Sequence, residues 1–245
     1  MNLVVHGDDF TFTGDQQGLD WIEGLMKQWY RIKVRARLGP EDFDDKEATL
    51  LGRTIKWHEW GISCESNPKY RRQVMEALGV TEDSKSLSVT GAKEVDGKEG
   101  GVPRVIGDDR QFRSIVASIN YMATDQPDLQ FACKEACREM SAPTEASWAK
   151  IKKIARYLVG RERVVWRYPW KEGHGGWRVC VDSDWAGDVH TRKSTSGGLI
   201  LLGDHCIKTW STTQSSPALS SCEAEYYALV DGASRALGRR GGLGD

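Results

Sequence analysis

Two short β-favouring runs, Asn2-Leu3-Val4-Val5-His6 and Phe10-Thr11-Phe12-Thr13, flank the polar turn Gly7-Asp8-Asp9 and predict a hairpin. Leu19, Ile22, Leu25, Met26 and Trp29 then recur near helical spacing, so a helix follows. From Tyr30 to Leu38 apolar and basic residues alternate with period two, which predicts a half-buried strand with a cationic face. Leu51 to Trp57 reads as a further strand, and Val74, Ala77 and Leu78 give an apolar side to a helix over Lys69 to Leu78. Thr81 to about Asp109 is rich in Gly, Lys, Glu, Asp and Ser and predicts a long connector. Helical spacing returns at Gln111–Thr124, Asp128–Met140 and Thr144–Val159, with Pro127 and Pro143 near the expected starts. The last segment predicts strands at Trp177–Asp182, Gly197–Leu202 and His205–Ser211, then a helix from Ser220 through Tyr226, Tyr227, Val230 and Ala233. Strands interleaved with helices, without an internal repeat, indicate an α/β (α+β) chain.

The 245 residues suffice for one large domain or two modest ones, and 39% hydrophobic with 28% charged residues excludes a disordered or fibrous protein. The longest aliphatic run, Leu199-Ile200-Leu201-Leu202, is far short of a membrane span. Met1 to Asp9 lacks the basic and apolar regions of a secretory signal, so the expected location is cytoplasmic or nuclear. A net charge of -1 excludes a global basic field, which leaves local patches. The densest runs from Lys150 to Arg167: Lys150, Lys152, Lys153, Arg156, Arg161, Arg163 and Arg167 stand against the single acid Glu162. It suits a phosphate backbone or an exposed helix face equally. Six scattered cysteines predict buried free thiols, and Cys133 with Cys137, on one helical face, read as packing because no His or Cys completes a metal set. Ten tryptophans predict core packing.

Two places could hold divalent cations. Asp8 and Asp9 repel each other unless solvated or shared with Mg²⁺, though Gly-Asp-Asp is also good turn chemistry. Asp182 ends a predicted strand and Glu223 opens the following helix, so folding could bring both to one metal. The competing reading makes Ser220-Ser221-Cys222-Glu223 a capping box and Asp182, Asp184 and Asp188 a solvated loop edge.

In chain order these motifs resemble the Pol polyprotein of copia-type LTR retrotransposons, from the end of the reverse transcriptase palm into RNase H. Val4-Val5-His6-Gly7-Asp8-Asp9 is similar to the family's Tyr-Val-Asp-Asp hairpin, and Leu51-Gly52-Arg53-Thr54-Ile55 to its Leu-Gly-Ile-Glu strand. Phe112 to Asp128 is similar to the block that ends in Arg-Pro-Asp. Asp182-Ser183-Asp184-Trp185-Ala186-Gly187-Asp188, Arg192 to Gly197, and Ala218 to Tyr226 resemble the RNase H signatures. The resemblance implies a palm remnant over 1–66, a helical thumb or connection over 67–170 with a linker at about 81–109, and an RNase H-like mixed sheet with its helix over 171–245.

It further implies Asp8, Asp9, Asp182 and Glu223 as catalytic metal ligands for Mg²⁺ or Mn²⁺. Lys150, Lys152, Lys153 and Arg156 become the expected nucleic-acid contacts, and RNA/DNA hybrid and the rest of Pol the expected partners. His6 and Gly7 depart from the family's hairpin, and the family's first palm Asp lies upstream of any residue here. Gly238 to Gly244 has no strand pattern, and Asp245 is not assigned to the site. Both active sites are therefore expected to be incomplete, with the chain a slice of a larger polyprotein that is inactive alone. The rival expectation is a non-catalytic nucleic-acid-binding remnant of a decayed element. In either case the Tyr226, Tyr227 and Val230 face is expected to lie bare and to favour aggregation.

Overall fold

The computed structural model describes residues 1–91, 109–173 and 175–240. Most of the expected connector, residues 92–108, lies outside the described residues, as does the tail from 241 that includes Asp245. The chain forms two compact units, Met1–Ala48 and Thr49–Asp245.

In the first unit, β1 (Asn2–His6) and β2 (Asp9–Thr13) pair antiparallel, with His6 opposite Asp9. Gly7 takes φ +61° as the first of the two turn residues, a conformation that a side chain would strain. Asp15 caps α1 (Gln16–Trp29), accepting from the Gly18 amide at 2.7 Å. Leu19, Ile22, Leu25 and Met26 of α1 are half-buried, and the unit has no fully buried apolar side chain.

The strand expected over Tyr30 to Leu38 does not form. That stretch contributes only an isolated bridge between Leu38 and Asp45. Period-two alternation makes a strand only if another strand accepts its backbone. Here the Arg37 amide donates to the Asp45 carboxylate at 2.9 Å, and the Arg37 guanidinium to Asp20 at 2.6 Å.

In the second unit, β4 (Arg53–His58), β5 (Gly61–Ser66) and β6 (Val165–Pro169) form an antiparallel sheet in that order. Strand β3 (Glu47–Leu50), at the junction of the units, is its edge. Neither β5 nor β6 was expected. The buried positions of β5 are Gly61, Ser63 and Glu65, small or polar residues that no hydrophobic template detects. Because β5 pairs with β6, strands from the expected 1–66 and 67–170 segments share one sheet.

Four helices, α2 (Lys69–Ala77), α3 (Asp109–Ala123), α4 (Pro127–Arg138) and α5 (Glu145–Val159), hold the main core. Phe112, Val116, Ile119, Leu129, Ile151 and Leu158 are wholly buried, each contributing about 1.5–3 kcal/mol. The Phe112 ring meets Trp148 edge-on at 5.5 Å. Thr144 and Ser147 form a reciprocal capping box at the start of α5.

The C-terminal sheet is β7 (Trp177–Ser183), β8 (Thr195–Leu202) and β9 (His205–Thr213), with β8 central and α6 (Ser221–Arg240) laid across β7 and β8. The chain is thus mixed α/β, as expected. Where a mixed C-terminal sheet was expected, all strand pairs among the described residues here are antiparallel.

Two expectations about side chains change. All six cysteines are free, but only Cys133 is buried, and Cys180 and Cys222 are exposed. Trp21 and Trp29 on α1, and Trp60, Trp170 and Trp185 in turns and loops outside the strands, are also exposed. Among the described residues, no helix is long and apolar enough to cross a membrane.

Candidate functional site

The packed stripe of α6 is made of its smallest residues, Ala224, Ala228 and Gly232, spaced four apart. A Cβ built on Gly232 would lie 2.5 Å from Val181 Cγ1 and 3.2 Å from Val179 Cγ1, so the helix backbone lies almost against β7. Val179 and Val181 therefore face α6, and alternation sends Asp182, with Arg178 and Cys180, to the exposed register of the strand.

Glu225, one residue beyond Ala224, reaches the end of β7: its Oε1 accepts from the Ser183 amide at 3.3 Å, the peptide that follows Asp182. The Ser183 hydroxyl oxygen is shielded from water and has no hydrogen-bond partner. Glu223 is occupied elsewhere. Its carboxylate accepts from the Tyr227 hydroxyl and the Leu219 amide, both at 2.7 Å, and its own amide donates to Ser220 Oγ at 3.1 Å. Those two donors, Tyr227 first, hold the Glu223 carboxyl below the ordinary carboxylate range.

Ser220 and Glu223 thus form the helix cap that the sequence offered as the alternative reading, with Glu223 reaching back one residue further than the usual box. Replacing Ser220 by alanine is expected to cost about 1 kcal/mol, measurable by chemical denaturation. The sequence reading named Glu223 and did not single out Glu225, which the structure brings to the end of β7. The available signal was the Ala224-Ala228-Gly232 spacing, which marks the packed stripe that Glu225 borders.

The other acids of this segment build its loop. Asp184 Oδ1 accepts from the amides of Thr195 at 2.8 Å and Gly187 at 3.3 Å. Asp188 Oδ1 accepts from the amides of His190 at 3.0 Å and Thr191 at 3.1 Å, and its other oxygen is paired with Arg138. Burial alone would raise the Asp188 pKa, but the bonds from Thr191, Arg138 and His190 outweigh it and hold it well below the ordinary value of 3.8. A carboxylate with a depressed native pKa adds stability above its unfolded value, and that stability is lost as pH falls toward the folded value. Acid titration of unfolding free energy should therefore decline below about pH 4, and the decline should be shallower in Asp188→Ala.

At the hairpin, Asp8 is exposed on the turn, while Asp9 is half-buried and lies 3.1 Å from Arg35. Much of the basic stripe has partners within the chain. Lys150 bonds Glu139 at 2.6 Å, Arg156 the Lys85 carbonyl at 2.9 Å, and Arg163 Glu65 at 2.8 Å. Lys152 and Lys153 point outward from α5. Among the described residues, no group of three or more His, Cys, Asp or Glu side chains is placed to hold a metal ion.

Over 232 residues the chain is 30% identical to the uncharacterized mitochondrial protein AtMg00810 of Arabidopsis thaliana, covering 94% of this chain and 90% of that protein. It is 34% identical over 126 residues, 51% of its length, to the retrovirus-related Pol polyprotein from transposon RE2 of Arabidopsis thaliana. It is 28% identical over 240 residues, 94% of its length, to the retrovirus-related Pol polyprotein from transposon TNT 1-94 of Nicotiana tabacum. The chain spans only 8% and 17% of those two polyproteins. No family model and no solved structure matches it.

Proposed function

Because the chain belongs to the family of copia-type retrotransposon Pol polyproteins, we propose that it corresponds to the segment joining the end of a reverse transcriptase palm to an RNase H-like domain. In the parent polyprotein this segment acts on RNA/DNA hybrid through divalent-metal phosphodiester chemistry. The observation that carries this reading is Glu225 at the Ser183 amide, beside Asp182 at the end of β7.

Asp182, Glu225 and the unpartnered Ser183 hydroxyl are all oxygen donors, the set that suits Mg²⁺ or Mn²⁺. They would hold the cation at the strand end, where Glu225 arrives from the helix side and Asp182 leaves from the other face. Such a cation, when bound, activates water and offsets charge on the phosphate. Glu223 caps α6 and is not a ligand in this reading. Asp8 and Asp9 occupy the position of the polymerase's acidic pair, and Lys152 and Lys153 are the stripe residues best disposed toward a phosphate backbone. With two carboxylates the metal is held weakly, so hydrolysis belongs to the parent polyprotein and not to this chain alone.

A second reading, a non-catalytic nucleic-acid-binding module, is favoured by the lack of a three-acid cluster among the described residues. Titrating Mn²⁺ into the chain with a labelled RNA/DNA hybrid separates the two. Metal-dependent tightening that Asp182→Asn abolishes is expected. Salt-sensitive binding indifferent to both metal and Asp182 would leave only the second reading.

A further inference from the structure

Gln214, the residue after β9, is 8% exposed, and its side chain bridges two elements. The amide nitrogen Nε2 donates to Ser196 Oγ on β8 at 3.0 Å and to the Ala224 carbonyl in the first turn of α6 at 2.8 Å. A carbonyl only accepts, so the NH2 end must face Ala224, which turns Oε1 away. That oxygen is shielded from water and has no hydrogen-bond partner. Stability alone would favour an apolar side chain here, because a buried acceptor without a donor is kept at a cost. What the glutamine adds is two donors on one nitrogen.

Those donors close a ring around the strand end. The Ala224 carbonyl belongs to the peptide bond that joins Ala224 to Glu225, so Gln214 grips the link from which the Glu225 side chain departs. Ser196 stands opposite Ser183 in the register of β7 and β8, and the Ser183 amide donates to Glu225. The Gln214 backbone is held as well, its amide donating to the Ser194 carbonyl at 2.8 Å. Ser196 and Ala224 are both buried, which keeps bulk water from the two side-chain bonds.

We propose that Gln214 is a positioning residue of the cation site at the end of β7, registering the first turn of α6 on β8 so that Glu225 meets the Ser183 amide beside Asp182. The inference rests on the reading of Asp182 and Glu225 as cation ligands. The packed stripe of Ala224, Ala228 and Gly232 sets how near α6 lies to the sheet, but such apolar contacts have little directional preference. The Gln214 bonds are directional and fall at the turn that carries the carboxylate. The bonds of Ser220 and Glu223 stay within residues 219 to 227, so they cap the helix without registering it on the sheet.

The test is calorimetric titration of Mn²⁺ into the full chain and into Gln214→Met, which keeps the side-chain length without its donors. Affinity is expected to fall about tenfold, the lower end of the effect of removing a group that orients a metal ligand. In a Glu225→Gln background the same substitution should change affinity by less than about twofold, because no carboxylate is left to misplace. A general loosening of the fold would instead weaken both backgrounds alike. Ser196→Ala, which removes one of the two bonds, should weaken Mn²⁺ about threefold and serves if Gln214→Met does not fold. Affinity unchanged in whichever of these variants folds, or an equal loss in both backgrounds, would overturn the role of Gln214 alone. Wild-type binding indifferent to Glu225→Gln would overturn the cation site itself, and this inference with it.

Discussion

Replacing Asp125 by alanine is expected to destabilise the larger unit by about 3 kcal/mol, the lower end of the range for a buried ion pair that loses one partner. Asp125 follows α3, and its two carboxylate oxygens both lie 2.9 Å from Arg53 Nε on β4. Ser66 at the end of β5 donates to the same carboxylate at 2.7 Å, and Trp166 of β6 donates to the Asp125 carbonyl at 2.7 Å. One residue thus ties three strands to the helical core. Its side chain is 11% exposed and that of Arg53 27%, so removal strands a poorly solvated guanidinium and an unpaired hydroxyl. Asp125→Asn preserves shape and one acceptor and should cost about half as much. Equilibrium denaturation of the three proteins checks the order.

The second large effect is expected at Gly232, where valine should destabilise the C-terminal layer by about 2 kcal/mol. Strain of about 1–3 kcal/mol is offset in part by the helix propensity gained on losing glycine. The clash is direct: the Cβ alone would lie 2.5 Å from Val181 Cγ1, and the rigid β-branched side chain of Val181 cannot turn away freely. Relief requires α6 to lift from β7, which withdraws Glu225 from the Ser183 amide. Gly232→Val should therefore lower both the unfolding midpoint and Mn²⁺ affinity, whereas Ser220→Ala should lower the first with little change in the second.

Long segments with a repeating apolar pattern were legible in the sequence. Helices α2 to α5 end within about two residues of the boundaries expected from spacing and proline placement. Likewise β7, β8 and β9 follow from short β-favouring runs between tight polar connections. Elements defined by remote partners were not legible. Strand β6 read as part of a basic stripe because its partner, β5, lies about a hundred residues earlier. Tyr30 to Leu38 has a strand pattern but no strand to pair with. The partners of Lys150 and Arg163, namely Glu139 and Glu65, are likewise matters of tertiary structure.

At the candidate site, Asp182 was identifiable from the loop motif, while the choice between Glu223 and Glu225 depended on which helix face meets β7. The first turn alone does not decide it; the Ala224-Ala228-Gly232 spacing over the following turns does mark the packed face. The bare face of α6 was legible in part: Tyr226 and Val230 are more than half exposed, as is Leu229, which was not anticipated, whereas Tyr227 is 37% exposed and its hydroxyl donates to Glu223.

The central claim is that Asp182 and Glu225, and not Glu223, hold a divalent cation at the end of β7. Calorimetric titration of Mn²⁺ into the full chain and its Asp182→Asn, Glu225→Gln and Glu223→Gln variants tests it most directly. Weakening of at least about tenfold is predicted for the first two, with near-unchanged affinity for the third. Affinity lost in Glu223→Gln but kept in Glu225→Gln, or unaffected by Asp182→Asn, would contradict it.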